Sequence, residues 1–257
     1  MIRQFAILVV LTAWVSCKKN EFHDPPVENW CMVFEDQFDS LNREVWEPTV
    51  APNGITARTD RSKNLRVENG LLIMELHKES YDGYAYTGSD VASIDYYQYG
   101  KIECRARLPK ANIAWPAFWL LGSYDEYGAW PNCGEIDILE YWGYNAPDFY
   151  TNIHTKYSNW KNGKKRGDHS TSVTLPDATE QFHVYGMIWY RDRLEFYLDG
   201  DHYWTYHKIS DNWRKWPFDH PMRIVFQMYA GPDYQGSVAD LPDQFEVDYV
   251  RVYEACD

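Results

Sequence analysis

Ile102, Cys104, Ala106 and Leu108 alternate with Lys101, Glu103, Arg105 and Arg107, the period of two expected of a half-buried β-strand. Comparable short runs recur from Leu71 to Leu76, Phe182 to Trp189, Leu194 to Leu198 and Phe245 to Tyr253, with Gly, Pro, Asn and Asp between them. Asp199-Gly200 between two such runs is a tight-hairpin signal. No window carries the periodicity of a long amphipathic helix. Each sheet must bury its apolar face against another layer, so an all-β sandwich of two antiparallel sheets is expected. Residues 30–257 read as one domain, without internal repeat or low-complexity linker.

The first 29 residues are different. Arg3 and the apolar run Phe5 to Leu11 read as an export signal over residues 1–16, too short to span a bilayer. Ser16-Cys17 resembles a bacterial lipoprotein processing site, which would make Cys17 the lipidated first residue; a plain secretory signal is the alternative. Residues 17–29 are polar, contain Pro25-Pro26, and suit a tether. A lipid anchor would then hold the domain at the cell envelope, in the periplasm or on the outer-membrane surface. The net charge of −13 repels phosphate backbones and argues against nucleic acid as a partner. Aromatic residues make up 17% of the chain, with 12 Trp and 21 Tyr. So many rings exceed the needs of a core and point to an exposed stacking surface of the kind that sugar C–H faces meet. Of the cysteines beyond Cys17, Cys31 and Cys256 lie at the two ends of the domain and could pair if the terminal strands are neighbours. Cys104 and Cys133 show no zinc spacing.

Gly134-Glu135-Ile136-Asp137-Ile138-Leu139-Glu140 is the segment that carries chemistry. As a strand it turns Glu135 and Asp137 to one face and Ile136 and Ile138 to the core. Regular continuation would drive Glu140 into the core, where an unpaired carboxylate is costly. One extra residue, a β-bulge near Ile138 or Leu139, restores it to the acidic face. The two glutamates then stand roughly 13 Å apart at Cα, by ~3.3 Å per strand step. Side chains leaning together close this to about 5–5.5 Å, the spacing of a retaining glycosidase. Glu135 would be the ionised nucleophile, Glu140 the protonated acid, and Asp137 a helper whose charge keeps a proton in the cluster. A solvated acidic strand edge or a calcium site would use the same oxygens.

Further segments accompany this one in order: Gly100 to Pro109, Trp115-Pro116-Ala117-Phe118-Trp119-Leu120-Leu121-Gly122, Trp130-Pro131-Asn132-Cys133, Ile153-His154-Thr155, Phe182 to Tyr185 and Val247 to Tyr253. Together, from about Val33 to Tyr253, they resemble glycoside hydrolase family 16 in its laminarinase-like, bulge-bearing branch. That resemblance implies a β-jelly-roll with a concave cleft, a retaining mechanism on a polysaccharide, and the same roles for Glu135, Asp137 and Glu140. It implies stacking walls at Trp119 and Trp130, with Trp115 and Trp142 as further candidates, and His154 near Glu140 or the leaving sugar. Core packing is the alternative for the rings, a structural role for the histidine. It also implies a structural calcium at Glu35, the carbonyl of Gly70, and Asp248. No organic cofactor is expected, and the chain is expected to be a monomer.

Two segments depart from the family pattern. Pro52 to Arg61 replaces an Asn-rich stretch before Tyr-Thr-Asp, and Ala230 to Gly236 replaces a Gly-Gly-x-Trp loop, with Tyr234 near the expected Trp. Both concern substrate, not the scissile bond. The first expectation is an endo-acting enzyme on β-1,3- or mixed-linked β-1,3-1,4-glucan. The alternatives are a β-galactanase acting on agar-like, porphyran-like or mucin-type chains, and a non-catalytic glycan-binding lipoprotein. Arg58 and Arg61 could face a sulfated or sialylated glycan, or solvent.

Overall fold

The computed structural model describes residues 26, 27, 29–162 and 169–256. Cys17, the signal and nearly all of the tether lie outside them. In chain order the strands are β1 (Trp30–Asp36), β2 (Trp46–Pro48), β3 (Pro52–Asn53), β4 (Thr56–Arg58), β5 (Leu65–Glu68) and β6 (Leu71–Tyr81). Then come β7 (Tyr84–Ser93), β8 (Gly100–Arg107), β9 (Ala114–Gly122), β10 (Glu135–Tyr141), β11 (Asp148–His154) and β12 (Ser170–Thr174). The last are β13 (His183–Trp189), β14 (Arg193–Leu198), β15 (Asp201–His207), β16 (Met222–Ala230) and β17 (Asp243–Ala255).

One layer runs β5-β6-β17-β8-β13-β14-β15, with β1 on the same edge of β17 as β6. The other runs β2-β7-β16-β9-β10-β11-β12. Pairings are antiparallel except β4 on β7, and the expected sandwich is the architecture found. Ile102, Cys104 and Ala106 on β8 meet Ile136, Ile138, Phe118 and Phe226 from the facing layer in one buried core. Asp199 and Gly200 join β14 to β15 with φ of 52° and 88°, the left-handed pair a two-residue hairpin needs. The terminal strands are neighbours, and Cys31 is bonded to Cys256; Cys104 and Cys133 are buried thiols.

Alternation on the second layer builds the site. On β9, Phe118 and Leu120 go to the core while Trp115, Ala117, Trp119 and Leu121 line the opposite face. On β16, Ile224, Phe226 and Met228 are buried, and Arg223, Val225, Gln227 and Tyr229 share the face of Trp119.

Candidate active site

β10 lies between β9 and β11, and its register slips once. Against β11, Asp137 opposes Asn152 and Glu140 opposes Tyr150, three steps against two. Against β9, Asp137 opposes Trp119 and Leu139 opposes Phe118, which makes Ile138 the extra residue. Thr151 Oγ1 donates to the Ile138 carbonyl at 3.0 Å and satisfies backbone that the bulge takes from the ladder. Ile136, Ile138 and Leu139 are fully buried, while Glu135, Asp137 and Glu140 all line the cleft. Gly134, at φ 78°, turns the chain into this strand, and a Cβ there would stand 2.6 Å from Pro217 Cγ.

The cleft crosses the strands from Ser170 through His154, Asn152, Trp119 and Gln227 to Asp90 and Arg58. Its volume of about 810 Å³ is large for a ligand site and has room for a chain segment. His154 Nε2 lies 3.4 Å from Asp137 Oδ2 and 3.6 Å from Glu135 Oε1. Glu140 is held from two sides, by Trp115 Nε1 at 3.0 Å on Oε1 and by Asn152 Nδ2 on Oε2. Trp115 stacks on Trp142 at 4.2 Å and 18°. Burial, then the neighbouring Asp137 charge, pushes the Glu135 carboxyl up to about 8. Glu135, Asp137 and His154 offer ligand atoms within 4.8 Å of one another, the one group of described residues with the geometry to hold a metal ion.

The model of glycosyl hydrolases family 16 matches residues 53–251. The chain belongs to that family. A β-glucanase of Rhodothermus marinus is 32% identical, over 98% of this chain and 95% of that protein. The solved structure of the laminarinase from Rhodothermus marinus superposes with a TM-score of 0.83 and 32% identity, covering 89% of this chain and 99% of that one. A keratan-sulfate endo-1,4-beta-galactosidase of Sphingobacterium multivorum is 34% identical over 87% of this chain, which spans 55% of that longer protein.

Within this family 16 fold, several expected residues sit differently from the reading of the sequence. His154 faces Glu135 and Asp137, because its register partner is Glu135; Asn152, two residues earlier on the same face, takes the place beside Glu140. Tyr234 stacks at 6.1 Å on Tyr144, a ring that lines the cleft. Trp119, Trp130, Trp115 and Trp142 all line the cleft, although Trp142 is 8% exposed and Trp115 spends its N–H on Glu140. Glu135, expected as the ionised partner, is instead pushed up to about 8, because burial and the Asp137 charge outweigh the pull of His154.

Neither arginine of the departing segment stands free. Arg58 bonds the Ala51 carbonyl at 2.9 Å and lies 3.5 Å from Asp90 and 3.4 Å from Tyr229. Arg61 pairs with Glu79. Of the residues expected at a calcium, Asp248 falls where β6 and β1 meet along the edge of β17, and Glu35 lies on β1 opposite Arg251. Glu35, however, is paired with Arg251 at 2.7 Å and Asp248 with Arg105. As arranged, the set does not fit a cation unless both arginines let go.

Asn152, Asp90, Gln227 and Tyr229 were not singled out from sequence. Asn152 shares the alternation of His154. Gln227 is a polar residue inside the otherwise apolar run from Ile224 to Ala230, which is itself a signal.

Proposed function

We propose that this family 16 hydrolase is an endo-acting, retaining β-glycosidase of the laminarinase-like, bulge-bearing branch. The observation that carries the reading is the bulge at Ile138, which sets Glu135, Asp137 and Glu140 on the floor of a cleft running across the sheet. In the first step Glu135 attacks the anomeric carbon while Glu140 gives its proton to the leaving oxygen. The glycosyl–Glu135 ester is then hydrolysed by water that Glu140 deprotonates, so two inversions restore the configuration. Glu135 must release its proton before attack, and a sugar entering the cleft is the event that redistributes the charge among the three carboxylates. Asp137 and His154 orient Glu135. Trp119 and Trp142 leave indole N–H groups buried without an acceptor among the described residues, which sugar hydroxyls would satisfy.

The preferred substrate is β-1,3- or mixed-linked β-glucan, supported by the Rhodothermus marinus β-glucanase and laminarinase. A second reading, a β-linked galactan, is supported by the keratan-sulfate endo-1,4-beta-galactosidase and by Arg58 and Asp90 filling the cleft end opposite His154. The chain would be a monomer anchored to the bacterial envelope through lipid on Cys17. Mass spectrometry of the mature protein tests the anchor, and an unmodified Cys17 would remove it. Laminarin, lichenan, agarose, porphyran and mucin O-glycans, read by product size and anomeric configuration, test the activity. Exclusive release of monosaccharides, or an inverted product, would overturn the endo-acting retaining mechanism. Glu135→Ser should abolish turnover and keep binding, and a protein without turnover to lose would be a binder.

A further inference from the structure

We propose that the flank of the cleft beyond β11 is an anion-recognising subsite, built to take a sugar carrying a sulfate or carboxylate group. The inference rests on the glycanase reading of the same cleft and, within it, favours the second reading, a β-linked galactan, over a neutral glucan.

The chain is acidic overall, yet its cations are distributed unevenly. Among the described residues from Phe149 to Asn162 the chain carries Lys156 and Lys161 and no carboxylate. Elsewhere on the described surface the arginines flanking the cleft are spent: Arg58 on Asp90, Arg61 on Glu79, Arg223 on Glu47. On the β11 flank the described cations face rings instead. Lys161 Nζ stands 4.7 Å over Trp130 and 5.2 Å over Trp160. Lys156 and Arg214 lie over Trp213 at 5.1 and 4.6 Å. A ring attracts a cation weakly but leaves its charge available to a ligand.

Residues 155–159 are also held in shape. Asn159 Nδ2 donates to the Thr155 carbonyl at 2.9 Å, Ser158 N donates to Thr155 Oγ1 at 3.0 Å, and Tyr157 N donates to the Arg214 carbonyl at 2.7 Å. Trp160 is 69% exposed and tilted 35° from Trp130 at 5.9 Å, and both line the cleft with Lys161. An exposed tryptophan at the end of a sugar cleft, with an ammonium beside it, presents a stacking face and a countercharge together. A neutral glucan uses the first only.

The test measures binding with the Glu135→Gln chain, which cannot turn over. The probes are three matched pairs: keratan sulfate before and after desulfation, sialylated mucin glycopeptide before and after sialidase, and carboxymethylated against plain laminarin. The expected result is about five-fold or tighter binding of the charged member of at least one pair at 50 mM salt. That preference should collapse toward unity at 0.5 M salt, where screening is short-ranged, and in Lys156→Glu/Lys161→Glu. Lys156→Met/Lys161→Met, which keeps the aliphatic stems, should give a partial loss; equal melting temperatures show that the variants fold. The pair that responds separates sulfate from carboxylate. Equal affinity within all three pairs, or a preference that survives charge reversal, overturns the subsite. Failure of the unmodified chain to cut any of these glycans would sink the glycanase reading and is scored separately from the binding ratios.

Discussion

The indole N–H of Trp115 donates to Oε1 of Glu140 at 3.0 Å, tying one strand's cleft-facing ring to the next strand's carboxylate. The same ring stacks on Trp142, so Trp115 has two separable functions. Trp115→Phe keeps a ring in the stack and deletes the donor. One hydrogen bond to the protonated acid is worth about 0.5–1.5 kcal/mol, or roughly two- to ten-fold in rate. We expect kcat on laminarin to fall by about that factor with little change in KM. Steady-state kinetics check this, and an unchanged kcat would make Trp115 a stacking residue only.

The raised Glu135 carboxyl has a consequence for stability. The folded chain keeps a proton there up to about 8, while the unfolded chain loses it near 4.5. Stability therefore falls as pH climbs between those values, and the full cost is felt above the upper one. Glu135→Gln removes the cost. With 16% of the side chain still exposed, the gain should be a modest part of the full shift, about 1–3 kcal/mol or roughly 2–10 °C in Tm. It should appear at pH 8.5 and vanish near pH 4.5. Melts at both values decide it.

How much of this was legible beforehand follows from the kind of information each feature needs. The strands of the core could be read because Ile102, Cys104 and Ala106 announce their own burial by alternation. The bulge could be read because Glu140 falls out of frame with Glu135 and Asp137, and a buried carboxylate is too costly to accept. The partners of Glu140 could not. Trp115 and Asn152 reach it only through the register of β9 and β11 against β10, which is set by pairing at a distance along the chain. The place of His154, expected near Glu140 or the leaving sugar, depends on the same register: opposite Glu135 it faces Glu135 and Asp137, and Asn152 reaches Glu140. The stacking of Tyr234 on Tyr144 was not legible either, since spacing along a loop says nothing of the ring it meets.

Calcium can be tested directly at the β1–β17 edge. Glu35 and Asp248 offer oxygens to a cation only if Arg251 and Arg105 leave them. An exposed ion pair is worth little, so the competition is a fair one, but the pairs need no added ion. We expect EDTA to leave Tm within about 1 °C, and Arg251→Gln to cost roughly 0.5–1 kcal/mol. A drop of several degrees with chelator, restored by calcium, would show that the arginines yield and that the family's cation site operates here.

His154 provides the most direct handle on the chemistry. Its Nε2 stands 3.4 Å from Asp137 and 3.6 Å from Glu135, and its charge opposes the burial and the Asp137 repulsion that raise the Glu135 carboxyl. Replacing it with Gln keeps a polar group of similar reach and deletes the charge. The Glu135 carboxyl should then rise further, by about half to one pH unit. Attack needs that carboxyl ionised, so the acidic limb of the kcat/KM profile should move to higher pH by the same amount. The rate at high pH should recover most of what is lost at neutral pH. A histidine that only held the backbone would lower the rate equally at every pH, and a parallel drop without displacement of the limb would leave His154 with a structural role alone.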